Sequence, residues 1–258
     1  MSNRGVDEYI VRLRTAYVLL VAIAVVLGCI ARSAPGHWEL GNPYGGTSIG
    51  YDVSWPNCGA TPLKQGSWGV IGITGGISLH PNKCAVAEAG WFKLRSLYLN
   101  TGYPGGQRVW RYAGAPKDCS VYDPPCLAYN YGYAEGVYAV QLAARQGLHA
   151  SIWWLDVETE NSWDDDPFVN RASIQGTIDA VQHVTVVARI GIYSYPAQWK
   201  IITSSWLPGL PAWVATGDTT FAAAQKACTG PSFTGGQLWI TQYTQGLDRN
   251  LACNAMAY

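Results

Sequence analysis

Two carboxylates stand two residues apart at the end of an apolar run, SIWWLDVE, as Asp156 and Glu158. Residues two apart on a strand point the same way, with Cα atoms about 6.6 Å apart. A strand over Ser151–Glu158 therefore sets Ile152, Trp154, Asp156 and Glu158 on one face and Trp153, Leu155 and Val157 on the other. An acid held among apolar groups, beside a second negative charge, keeps its proton to higher pH and can protonate a leaving group. Asp52 repeats the pattern in IGYDVS, where Gly50, Asp52 and Ser54 share a face. Asp248 follows the last apolar run, in QYTQGLDRN. The plainer account makes Glu158 the start of a polar loop, since Glu160 and Asp164–Asp166 follow, and makes Asp52 and Asp248 turn formers. Acids from three separate segments converging on one rim favour general acid–base chemistry.

Other chemistries find little support. There is no G-x-S-x-G elbow, no G-x-G-x-x-G fingerprint and no C-x-x-C pair, and the four His are scattered. No cofactor and no metal is expected. Asp164–Asp166 lacks the spacing of a calcium loop and reads as a solvated turn. The chain is rich in Trp (12) and Tyr (16) against 4 Phe, and such rings join an apolar face to a polar tip. Trp55, Trp110, Tyr193, Trp213 and Tyr243 fall in or just past candidate strands, where they could line a sugar groove; ordinary core packing is the alternative for each.

The elements that must hold these residues alternate. Candidate strands are 48–54, 68–74, 96–101, 108–113, 151–158, 189–195, 211–216 and 237–244. Candidate helices are 83–94, 128–146, 171–184, 196–203 and 219–227. Near-continuous apolar strands between helices mean a parallel sheet covered on both faces. Eight strands in this length predict an α/β fold, a single (β/α) barrel of the TIM type with irregular or missing helices. In such a barrel Asp156 and Glu158 point inward at the C-terminal rim. A doubly wound open sheet is the structural alternative.

Composition and ends bear on location. Hydrophobic residues make up 48% and charged residues 13%, which excludes a disordered chain; the net charge of +0 draws no nucleic acid. Arg4, Arg12 and Arg14 precede the uncharged stretch AYVLLVAIAVVLGCIA, residues 16–31. Residues 1–34 are read as a signal peptide, a lipoprotein signal or a signal anchor. VLGC resembles a lipobox, which would put lipid on Cys29 and tie the protein to the membrane. Residues 35–46, PGHWELGNPYGG, read as a linker, and 47–258 as the barrel. The other six cysteines suit three disulfides in an oxidising compartment. Sequence proximity suggests Cys58–Cys84, Cys119–Cys126 and Cys228–Cys253. An extracytoplasmic monomer is expected.

The pieces IGYDVSWPN, WLDVE, IGIYSYPAQW, PAWVA and LWITQYTQGLDRN occur in an order that resembles the glycoside hydrolase family 25 lysozymes and their actinobacterial relatives. The resemblance covers about residues 47–253. It implies a modified β/α barrel and cleavage of the β-1,4 bond after N-acetylmuramic acid in peptidoglycan. By match, Asp52, Asp156, Glu158 and Asp248 correspond to the family's active-site acids. The second strand here ends Ile-Thr-Gly-Gly where those lysozymes commonly carry a Lys and an acidic residue, and the third lacks their Tyr-His-Phe. A polysaccharide is thus the expected partner. A non-catalytic carbohydrate-binding protein on the same barrel, or an enzyme acting on another envelope polysaccharide, are the competing readings.

Overall fold

A computed structural model describes residues 41–44, 49–60, 68–185 and 189–253. The segment 1–34, with Cys29, lies outside them, as does most of the 35–46 linker. Among the described residues no helix is long and apolar enough to cross a membrane.

Eight strands close into a barrel in chain order: β1 (Ile49–Val53), β2 (Trp68–Gly72), β3 (Leu94–Asn100), β4 (Ile152–Asp156), β5 (Arg189–Ser194), β6 (Ala212–Ala215), β7 (Leu238–Gln245) and β8 (Leu247–Ala252). Helices α1 (Ala85–Ala89), α2 (Pro124–Arg145), α3 (Pro167–Thr185), α4 (Pro196–Thr203) and α5 (Phe221–Ala227) lie between them. The expected barrel is thus present, and irregular. Its sheet is mixed rather than parallel, because β8 runs antiparallel to both β7 and β1. The reversal is made at Gly246, whose φ of 78° is open to glycine at little cost. The eighth strand is therefore not the one expected. Residues 108–112 of the expected strand lie in a 3-10 turn (Gly106–Tyr112), of which only Val109 is buried. Gly105 and Gly106, both at positive φ, start that turn and carry Val-Trp-Arg-Tyr away from the sheet.

The barrel interior is built from indoles. Trp68, Trp154, Trp213 and Trp239 pack there with Tyr44, Val70, Ile152 and Tyr193. Trp154 meets Trp213 and Trp239 edge-on, at 5.7 and 6.3 Å between centroids. Glycine makes the room: a Cβ at Gly50 would stand 2.3 Å from the Trp68 ring, and one at Gly191 2.2 Å from Trp154. Tyr44, within the segment read as linker, is buried; its ring lies 4.3 Å from Trp68 and its hydroxyl accepts from Trp154 Nε1 at 3.0 Å. The opposite parity, with Val53, Ile71, Leu97, Leu99, Trp153, Leu155 and Ile192, packs outward on the helices.

All three disulfides pair as sequence proximity suggested, Cys58–Cys84, Cys119–Cys126 and Cys228–Cys253. Three such bonds in one domain fit an extracellular protein. Helix α2 starts where Asp123 accepts the Cys126 backbone N–H at 3.1 Å and Pro124 and Pro125 fill the first turn. The Asp164–Asp166 run starts α3 in a similar way, with Asp166 Oδ1 accepting the Phe168 N–H at 2.9 Å.

Helices α2 and α3 touch through glycines. A Cβ at Gly176 would stand 2.0 Å from the Tyr129 carbonyl oxygen, and one at Gly132 1.8 Å from that of Ser173. Gly176→Ala gains about 0.5–1 kcal/mol in helix propensity. Prising two helix backbones apart costs about 1–3 kcal/mol or more, so the cost wins. Urea unfolding is expected to show net destabilisation, and an unchanged midpoint would contradict the close crossing.

Candidate active site

The strand ends bring the acids together as the two-residue period requires. Asp52 near the end of β1, Asp156 at the end of β4 and Asp248 on β8 share the interior parity, and Glu158 follows two residues beyond Asp156. Burial and mutual repulsion then set their protonation. Asp156 is only 6% exposed, and its carboxyl is pushed well above the usual range, first by burial and then by the Glu158 charge. Glu158 is raised to about 7 by burial and then by the Glu160 charge; hydrogen bonds with Tyr193 and Asp156 work against the rise. Asp156 and Glu158 thus behave as a pair that retains a proton toward neutral pH. Asp52 is also raised to about 7, by burial and the charge of Asp248.

Neutral amides hold these acids. Asp52 Oδ2 accepts from Gln242 Nε2 at 2.9 Å and from Asn250 Nδ2 at 2.7 Å. Gln242 is aimed by Tyr193, whose hydroxyl donates to Gln242 Oε1 at 2.8 Å. Asp156 Oδ2 accepts from Asn100 Nδ2 at 2.5 Å. Its other oxygen, Oδ1, is buried and takes no hydrogen bond from a donor among the described residues, and neither does Asn250 Oδ1 find one to accept. Tyr98 and Tyr193 have hydroxyl pKa values raised well above normal by burial, so both stay protonated donors.

The five aromatic candidates scatter. Tyr193 and Trp213 are buried within the barrel, their centroids 4.3 Å apart, with Tyr193 reaching the acids. Trp55 lies on the turn after β1, half exposed, its indole nitrogen against Gly76. Trp110 is half exposed on the 3-10 turn that replaces the expected strand. Tyr243 points outward, because it neighbours the inward Gln242; it packs with Ala224 and Leu251 beside Phe221. Reasoning from charge passed over Asn100, Gln242 and Asn250. The same alternation that located Asp156 runs through Ser96, Tyr98 and Asn100, and could have found the first of them. Glu160, read only as part of a polar loop, proves to be the charge that most raises Glu158 after burial.

The last point gives a test. Glu160→Gln removes a negative neighbour, so Glu158 ionises at lower pH. The alkaline limb of any activity that needs protonated Glu158 is expected to move to lower pH, with the acid limb nearly fixed. A limb that moves upward or stays in place would contradict the assignment.

A closed β/α barrel with its polar residues gathered where the parallel strands end belongs to the TIM-type barrels, whose active sites form at that rim. Residues 112–226 match the family model described as Lysozyme-like protein 1. No curated protein matches the sequence significantly. Among solved structures, a muramidase from Trichobolus zukalii shares the fold with a TM-score of 0.51 at 12% identity, over 81% of this chain and 95% of that one. The Clostridium perfringens spore cortex lytic enzyme SleM does so with a TM-score of 0.52 at 13% identity, over 81% and 68%. The family match covers a little under half of the chain, and the likeness to the two solved structures is one of fold.

Proposed function

We propose that this chain is a lysozyme-type glycosidase that hydrolyses an N-acetylated cell-wall glycan, peptidoglycan first among them, outside the cytoplasm. The observation that supports this most is the Asp156–Glu158 pair, held protonated toward neutral pH with one buried carboxylate oxygen free of donors. Glu158, the more open of the two, gives its proton to the glycosidic oxygen as the bond to the anomeric carbon breaks. The substrate's own acetamido oxygen attacks that carbon, forming a cyclic oxazolinium, so no protein nucleophile is needed. Asp156 orients the acetamide and takes up the charge of its N–H. Water then opens the ring, with Glu158 drawing off the water's proton, which restores the acid.

Asp52 suits a direct nucleophile less well. A nucleophilic carboxylate must be ionised, yet Asp52 holds its proton to about 7, where Glu158 also begins to lose its own. Asp52 and Asp248 are assigned to sugar binding and to tuning the charge of the rim, with Trp55 at its edge. Lipidation at Cys29 or an uncleaved segment 16–31 would keep the domain at the outer face of the membrane. Incubating the purified protein with peptidoglycan and weighing the released muropeptides tests the activity. Release of fragments with reducing N-acetylmuramic acid is expected. Retained glycan binding with no cleavage of any wall glycan would replace this reading with that of a binding protein.

A further inference from the structure

We infer that Thr74 and Asn100 are positioning residues that lock the Asp156 carboxylate by anchoring its Oδ2; this rests on the glycosidase reading above. The hydrogen-bond directions follow from one another. The Asn100 backbone N–H donates to Thr74 Oγ at 2.8 Å, so the threonine's own hydrogen goes to Asn100 Oδ1, also at 2.8 Å. With its carbonyl oxygen thus occupied, the Asn100 side chain presents Nδ2 to Asp156 Oδ2 at 2.5 Å. A flipped amide would set its carbonyl against the carboxylate at that same distance. Thr74, Asn100 and Asp156 are all at least nine-tenths buried, so water does not compete for these bonds.

The anchor itself is held from both sides. The Asp156 carbonyl accepts from the Thr101 backbone N–H at 3.1 Å and from Thr101 Oγ1 at 2.7 Å, which ties the end of β4 to β3. Thr74 bridges to Pro81 across the loop after β2. Asn82 clamps the base of that loop, donating from Nδ2 to the Gly72 carbonyl at 2.8 Å and to buried Glu88 Oε2 at 2.7 Å. The Cys58–Cys84 disulfide fixes the neighbouring residue pair. Because Oδ2 already has its donor, the oxygen left for the proton shared with Glu158 is the buried Oδ1.

The test uses the full protein with four variants. Asn100→Ala is expected to lower kcat on peptidoglycan about tenfold or more, the usual effect of losing a hydrogen bond to a charged group, and Thr74→Val, which frees the Asn100 amide, to lower it by a smaller factor, both with KM nearly unchanged. Thr74→Ser keeps the hydroxyl and is expected to retain wild-type kcat, which separates positioning from packing. Asn100→Asp places a second acid against Asp156 and is expected to be worse than Asn100→Ala. Losing the Asn100 donor destabilises ionised Asp156, so the acid limb of the pH profile should move to higher pH in Asn100→Ala. A second readout does not depend on turnover. Titration of carboxyl-labelled aspartate by carbon NMR should show Asp156 titrating at higher pH in Asn100→Ala than in wild type. An unmoved Asp156 titration overturns the lock, as does a Thr74→Val enzyme with wild-type kcat. If the wild type cleaves no wall glycan but the titration still moves, the lock stands and the proposed function falls.

Discussion

Glu158→Gln is expected to lose at least about 10²-fold in the rate of muropeptide release, while folding normally and still binding glycan. General acid catalysis typically contributes 10²- to 10⁴-fold, and the amide has the shape of the acid without its transferable proton. The substitution also removes a carboxyl that burial penalises, so the folded state should not suffer. Circular dichroism checks the fold, and binding to insoluble peptidoglycan checks the groove. Wild-type activity in Glu158→Gln would discard Glu158 as the acid. Asp156→Asn should also be severely impaired, since the acetamide loses its charged partner. A loss confined to Asp248→Asn or Asp52→Asn would move the chemistry to the other side of the barrel.

The second large effect is on stability. Asp52 has a folded pKa of about 7 against an ordinary value of 3.8, Glu158 about 7 against 4.5, and Asp156 lies well above its ordinary range. For each of these acids the folded state binds protons that the unfolded state has released. Their contribution is fully present below about pH 4 and is lost as pH rises toward 7. For Asp52 alone the loss is up to about 4 kcal/mol. The protein is therefore expected to unfold at a distinctly lower temperature at pH 8 than at pH 5. Asp52→Asn should recover part of the difference at pH 8 and change little at pH 5. The new amide's carbonyl can still accept from both Gln242 and Asn250. Equal melting temperatures at the two pH values would show that the rim acids are not buried as described. These acids destabilise the fold at neutral pH, which is the usual cost of a site built for proton transfer.

Much of this was legible in the sequence because the barrel is coded by parity. SIWWLDVE alternates between a wall of indoles and acids and a wall of aliphatics, and the structure keeps both faces as read. Strands of unbroken apolar residues, such as those at Trp68 and Pro211, were equally plain. Two segments misled for opposite reasons. Arg-Val-Trp-Arg-Tyr-Ala at 108–113 has strand-forming residues but follows a Gly-Gly pair at positive φ and has no free edge to join. Leu-Asp-Arg-Asn-Leu-Ala at 247–252 forms a strand in spite of its polarity, because its inward positions reach the polar rim rather than the core. The amides Asn100, Gln242 and Asn250 escaped a search led by charge. Tyr243 was misassigned because its neighbour, not itself, has the inward parity.

Strand β8 has a consequence for how the molecule comes into being. It is the last strand in chain order, it joins β7 to β1, and it contributes both Asn250 and Asp248 to the rim. Until it docks, β1 and β7 are raw edges and Asp52 lacks one of its two amide donors. The cluster of rim acids and amides cannot exist in a chain still emerging from the ribosome, because the piece that closes the ring arrives last. The Cys228–Cys253 bond, just beyond β8, then fastens the closure once the surroundings are oxidising. A site assembled in this order is complete only when the last strand is in place.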